Sequence, residues 1–175
     1  MIKFFWLTLL FASLSFGKAL QVSSKSMEGS QYFGGVKSPT TRLQSFNLTY
    51  SNEHFFSTNL SYAFNNSSLS LLSLSLTKKF MWETNSRLSI GFELGVGVAN
   101  YRESISFQNV SIYGLKHNVS INADYLLNES ASLIFSYGKD HYWMTNNKID
   151  YWGSDPRTDY AFDFNSPEIG LIWRF

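Results

Sequence analysis

The sequence predicts an all-β chain: a closed, antiparallel, up-and-down transmembrane β-barrel of about eight strands. Three observations predict it. Apolar residues alternate with small polar ones over most of the chain. Only 15% of the 175 residues are charged, against 44% that are hydrophobic. The polar positions hold Ser, Asn, Thr and Gly rather than Lys and Glu. A period of two puts successive side chains on opposite faces of a strand, whereas a helix repeats its apolar positions at three and four. A sheet face turned to water is ordinarily rich in charge. Small polar groups suit the cramped inside of a narrow barrel, so the apolar face is the one expected to meet lipid.

The first residues read as a signal peptide. Lys3 supplies the positive start, and Phe4, Phe5, Trp6, Leu7, Leu9, Leu10 and Phe11 form an apolar run closed by Ser15, Gly17 and Ala19. Cleavage after Ala19 or after Gly17 leaves small residues at both required positions. The run is too short to cross about 30 Å of hydrocarbon as a helix. The expected organisation is therefore a signal peptide over 1–19, for Sec-type export, and a barrel over 20–175. No later stretch offers a helical span.

The strands follow in order. The first is expected around Ser30 to Lys37, where Tyr32, Phe33 and Val36 flank Gly34 and Gly35; Leu20 to Gly29 belongs to it or forms a tail. Phe46, Leu48 and Tyr50 alternate with Asn47 and Thr49. Phe56, Leu60, Tyr62 and Phe64 alternate with Ser57, Asn59, Ser61 and Ala63. Leu72, Leu74 and Leu76 alternate with Ser73, Ser75 and Thr77. The clearest strand is Leu88 to Val98, with six apolar side chains on one face and Ser89, Gly91, Glu93, Gly95 and Gly97 on the other. Leu115, Val119, Ile121, Ala123 and Tyr125 mark the next. Ala131, Leu133, Phe135 and Tyr137 then oppose Ser132, Ile134 and Ser136. Ile169, Leu171, Trp173 and Phe175 close the chain. Short links are expected at 52–54 and 127–130, and at 38–42 and 65–68 on the other end. Longer loops are expected at 101–111 and 144–165, the last with Gly153 and Asp155-Pro156-Arg157 as turn formers.

Parity turns Glu93, Lys116, Asp124, Glu168 and Arg174 inward, where they are expected to pair across the lumen. The outward face is nearly free of charge, as it should be if a Lys or Arg at the bilayer midplane costs about 2–4 kcal/mol. His117 and Lys139 are the exceptions; both lie near strand ends, and Lys139 can snorkel toward headgroups. Tyr50, Phe80, Trp82, Tyr101, Tyr125, Tyr137, Trp143 and Trp173 are expected to form interfacial aromatic girdles.

Little in the sequence carries chemistry. A net charge of +1 gives no footprint for a nucleic acid. The absence of cysteine removes disulfides, thiolate metal sites and a cysteine nucleophile. His54, His117 and His141 show no metal-binding spacing, and no metal or cofactor is expected. Asp140 next to His141 could orient a general base, but Ser132 and Ser136 fall on the face opposite His141. A histidine at the barrel rim near the headgroups is the plainer reading. Gly91, Gly95 and Gly97 precede no helix and make no nucleotide loop.

The end of the chain, Ile169-Gly170-Leu171-Ile172-Trp173-Arg174-Phe175, resembles the C-terminal signature of bacterial outer-membrane barrels, which the barrel-assembly machinery reads. Leu171, Trp173 and Phe175 would carry that signal. In size and layout the chain is similar to the OmpA/OmpX-type eight-stranded barrels. The resemblance implies a Gram-negative outer membrane, with its lipid and the assembly machinery as partners. A barrel of eight strands is filled by its own side chains and makes a poor pore. The expected function is a non-enzymatic barrel that stabilises the membrane or presents 101–111 and 144–165 to a surface ligand. Alternatives are an enzyme acting on lipid A or phospholipid through His141, and a narrow, porin-like solute channel. Lipid-A-modifying barrel enzymes place Ser and His at the barrel surface, and the His-x-Ser pattern of the deacylase group is missing here.

Overall fold

The computed structural model describes residues 19–33, 36–40, 42–51, 56–65, 69–105, 108–144 and 160–175. The expected signal peptide, apart from Ala19, lies outside them. Nine strands form one antiparallel sheet: β1 Ala19–Phe33, β2 Val36–Pro39, β3 Leu43–Ser51, β4 Ser57–Phe64, β5 Leu69–Glu83, β6 Leu88–Ile105, β7 Gln108–Asn128, β8 Ala131–Met144 and β9 Tyr160–Arg174. β2 and β3 pair with successive stretches of β1, so they are two halves of one stave. Between them the Thr40 amide donates to the Gly29 carbonyl at 3.0 Å. The barrel therefore has eight staves, and β1 pairs with β9 to close it. Closure matters because lipid offers no partner to a free backbone N–H or C=O.

The stagger follows from the register. Stepping sideways from Ser23 leads through Asn47, Ser61, Ser73, Ala99, Gly114, Met144 and Tyr160, and returns to β1 at Phe33, ten residues above the start. A stagger of that size in eight strands requires tilted staves, about 40° from the axis.

Inside and outside are reversed relative to a protein in water. Outward rows of large apolar side chains are exposed, among them Phe46 at 59%, Val96 at 62% and Ile121 at 67%. Inward rows of Ser45, Asn47, Ser73, Ser75 and Asn122 are buried. Ser45 and Ser61 share a hydrogen bond of 2.9 Å across the lumen wall, and Asn59 donates to Thr49 at 2.6 Å.

Several expectations need correction. The first strand is not Ser30 to Lys37 but Ala19–Phe33, with the β1–β2 connection at Gly34 and Gly35 inside the expected span. The 38–42 link is no end connection; it interrupts the β2–β3 stave partway along its pairing with β1. The 101–111 segment is not a loop, because β6 and β7 stay paired as far as Ile105 and Gln108. The long loop narrows to 145–159, which lies outside the described residues, since β9 is already paired at Tyr160. Where chain ends are tied down, local side chains do it. Asn85 Oδ1 accepts from the Arg87 and Leu88 amides at 2.9 and 2.8 Å, and Asn128 Oδ1 accepts from Ser130 N at 2.9 Å. These are Asx turns.

Candidate functional site

We call the end where β1 starts and β9 finishes the lower end. From there upward the lumen has three zones. At the lower mouth a cavity of about 310 Å³ is lined by Met81, Glu83, Arg87, Ser89, Asp124 and Arg174. Arg174 donates to Ser132 Oγ at 2.6 Å.

Above it lies a network of charges. Lys79 donates to Gln21 Oε1 at 2.8 Å and stands 3.9 Å from Glu93. Asn118 donates to Glu93 at 3.3 Å. Gln21 donates to Glu168 at 3.1 Å, and Ser23 donates to the same carboxylate. Lys25 bridges Glu168 at 3.3 Å and Asp140 at 3.5 Å, and Lys116 reaches Asp140 at 3.3 Å. Ser166 donates to Asp140 Oδ2 at 2.5 Å. Lys25, Lys79, Lys116 and Arg174 thus share this stretch of the lumen with Glu93, Asp124, Asp140 and Glu168. A cavity of about 10 Å³ among them has room for one water. Buried charges persist only when paired and hydrogen-bonded, and here each carboxylate near the centre has a cation within reach.

The upper zone is apolar. Met27, Leu43, Leu71, Ile112, Tyr142, Met144, Phe162 and Phe164 form one buried cluster with Tyr101. Tyr101 stacks on Phe162 at 5.2 Å, and Tyr142 meets Phe164 edge-on at 5.9 Å. Lys116 lies 5.4 Å from the Tyr142 ring and joins the two zones. The lumen is therefore not filled by Ser, Asn and Gly throughout; its upper part is plugged by aromatic and aliphatic side chains.

The expected site residues divide as follows. Glu93, Lys116, Asp124, Glu168 and Arg174 face the lumen; Glu93 stands by Lys79, Lys116 by Asp140 and Glu168 by Lys25, Arg174 donates to Ser132, and Asp124 Oδ1 is buried without a hydrogen-bond partner among the described residues. Lys25 and Lys79 are the lumen residues that sequence reasoning missed, and Asp140, expected beside His141, belongs with them. Asp140 and His141 are not a pair: Asp140 is buried in the lumen, while His141 lies on the outer wall against Asp163. Adjacent residues of one strand point to opposite faces. Tyr101 belongs to no girdle, because it is 2% exposed and inside the plug; its odd number in β6 puts it on the Gly97 and Ala99 face. Trp82, Tyr125 and Trp173 stand on the exterior toward the lower end and Trp143 toward the upper end; Tyr50, half-buried, is one residue from the lower end of β3. Tyr137 is exterior but sits at the middle of β8. Leu171 and Trp173 face outward in β9, which pairs on both sides, and Phe175 follows it.

No protein-family model matches the chain, and no curated protein matches it. Solved structures match its fold. Neisserial surface protein A superposes with a TM-score of 0.59 at 10% identity, covering 90% of this chain and 99% of that one. The N-terminal β-barrel domain of Pseudomonas aeruginosa OprF gives a TM-score of 0.50 at 12% identity, covering 91% and 98%. Ail, the attachment invasion locus protein of Yersinia pestis, solved with the heparin analogue sucrose octasulfate, gives 0.50 at 17%, covering 91% and 99%. The chain has the closed eight-stranded fold of these small barrels.

Proposed function

We propose that this chain is an outer-membrane barrel of a Gram-negative bacterium, exported through its first 19 residues, that does no bond-breaking chemistry and acts by what it presents at its upper end. One observation carries the reading: the rows of Phe, Leu, Ile, Val and Tyr face outward while the charges are paired inside. Such a surface in water would be a very large exposed apolar patch. In a bilayer it is matched to its solvent.

The 145–159 segment joins the upper ends of β8 and β9. It mixes Lys148, Asp150, Asp155, Arg157 and Asp159 with Tyr151 and Trp152, a composition suited to contact with a partner. Neither alternative has comparable support. The plug around Tyr101 and Phe162 stands across the path that a solute channel needs. For a lipid hydrolase, the carboxylate against His141 is Asp163 rather than Asp140, and the serines of the same strand, Ser132 and Ser136, are buried in the lumen away from that outer-wall pair.

Membrane fractionation with heat-modifiable gel migration tests the first part. The chain should fractionate with the outer membrane and migrate faster unboiled than boiled. Replacing 145–159 by a short turn tests the second. The variant should keep that migration while cells lose surface binding or envelope integrity; no change in either removes the role of the segment.

A further inference from the structure

On the outer wall, three adjacent strands carry a polar band two rows deep. The register aligns His117, His141 and Asp163 in one row and Val119, Lys139 and Asn165 in the next. Leu115 and Trp143 stand directly above the band; Ile121, Tyr137 and Pro167 stand directly below. All five of those flanking residues are exposed. β6 interrupts the band with Leu94 and Val96, beyond which Lys78 of β5 stands opposite Leu94, whereas β1 continues it as Glu28 and Ser30.

Within the band the negative charges are already engaged. Asp163 is hydrogen-bonded to His141 Nδ1 and takes a second hydrogen bond from Tyr32. Glu28 is paired with Arg42. The His117 and His141 rings lie with centroids 4.6 Å apart. Lys139 is exposed and forms no salt bridge among the described residues. The donors that remain are the Lys139 ammonium and the ring N–H groups of two imidazoles.

Resting on the membrane reading above, we propose that this band is a site for the phosphate of a membrane lipid, held by His117, Lys139 and His141. The acyl chains of that lipid run down the wall over Ile121, Tyr137 and Pro167. The cost of charge in hydrocarbon fixes the depth: Lys139 belongs where headgroups and water reach it, not among acyl chains. Charge-assisted hydrogen bonds to phosphate are the strong ones. The apolar rows beneath give the same molecule a place for its tails, which a free anion lacks.

The test uses the full chain folded in octyl glucoside micelles, titrated with dihexanoyl phosphatidic acid. Separate arms receive dihexanoyl glycerol and inorganic phosphate. The imidazole NMR signals of His117 and His141 should shift saturably with phosphatidic acid alone. A His117→Gln, Lys139→Gln, His141→Gln variant that keeps heat-modifiable migration should bind at least about tenfold more weakly by phosphorus line broadening. Equal binding by that variant overturns the proposal. An equal response to inorganic phosphate or to the phosphate-free glycerol lipid overturns it as well. Folded wild-type protein that binds no phosphatidic acid sinks the site alone. Protein that never shows heat-modifiable migration sinks the membrane reading and the site with it.

Discussion

Asp140 is the residue on which the lumen depends most. It is 1% exposed and sits between Lys25 and Lys116, with Ser166 donating to it. Removing one member of a buried ionic cluster leaves a desolvated charge behind, at about 3–5 kcal/mol. Asp140→Ala is therefore expected to lower the unfolding free energy, read from urea titration of the barrel in lipid vesicles, by that amount, while His141→Ala, on the wall, changes it by less than about 0.5 kcal/mol. A second comparison reads the environment directly. Ile121→Arg, one row below the polar band, should cost more than about 1 kcal/mol in lipid, toward the about 2–4 kcal/mol of the midplane, whereas the same change on a watered surface stays within about 0.5 kcal/mol. At this scale strand parity alone assigns Glu93, Lys116, Asp124, Glu168 and Arg174 to one face. It also assigns Tyr101 inward, against its apolar character. What parity cannot supply is the partner, because Lys25 and Asp140 are 115 positions apart in the chain and meet only when β1 closes on β9 and β8.

The strands show where local pattern suffices and where tertiary pairing takes over. β6 is legible from Leu88 to Val98 because glycine alternates with large apolar residues. A methyl group on Gly97 would collide with the Leu74 carbonyl and stand 2.6 Å from Ser75 Cα, so only hydrogen fits between those strands. Gly97→Val is expected to lower the fraction that folds, measured as the heat-modifiable band; an unchanged fraction would mean that the β5–β6 spacing yields easily. β1 was harder to read. Its run Ser23-Ser24-Lys25-Ser26 is polar on both faces, and the outward side of that run adjoins the polar band, where β9 offers Asn165 opposite Glu28. The upper parts of β6 and β7 lost their alternation for a similar reason, with Arg102 and Glu103 adjacent. Pairing over that stretch is set by register rather than by side-chain pattern.

The molecule as a whole is a closed wall around a lumen that is wet below, charged in the middle and apolar above. No continuous water path crosses such a plug, so planar bilayers containing the wild-type chain should show no discrete conductance. Tyr101→Ala together with Phe162→Ala thins the plug where the two rings stack at 5.2 Å and is the change expected to produce conducting events. Closure and strand number were legible because the alternating segments, placed end to end, required a barrel of about eight staves. The plug was not, because its members are scattered single apolar residues at inward positions of several strands, such as Met27, Leu71 and Phe162, each unremarkable in its own segment.

Lipid contact along the outward rows is the claim beneath all of this. The chain has no cysteine, so single cysteines at 119, 121, 122, 135, 136 and 137 can be spin-labelled cleanly. Collision with dissolved oxygen and with a water-soluble nickel chelate can then be read at each site in vesicles. Labels at 121, 135 and 137 should collide strongly with oxygen and weakly with the chelate, those at 122 and 136 weakly with both, and the one at 119, in the row of Lys139, should meet the chelate at the headgroup level. Strong chelate access at 121, 135 or 137, or oxygen access that does not alternate with strand parity, would contradict the account.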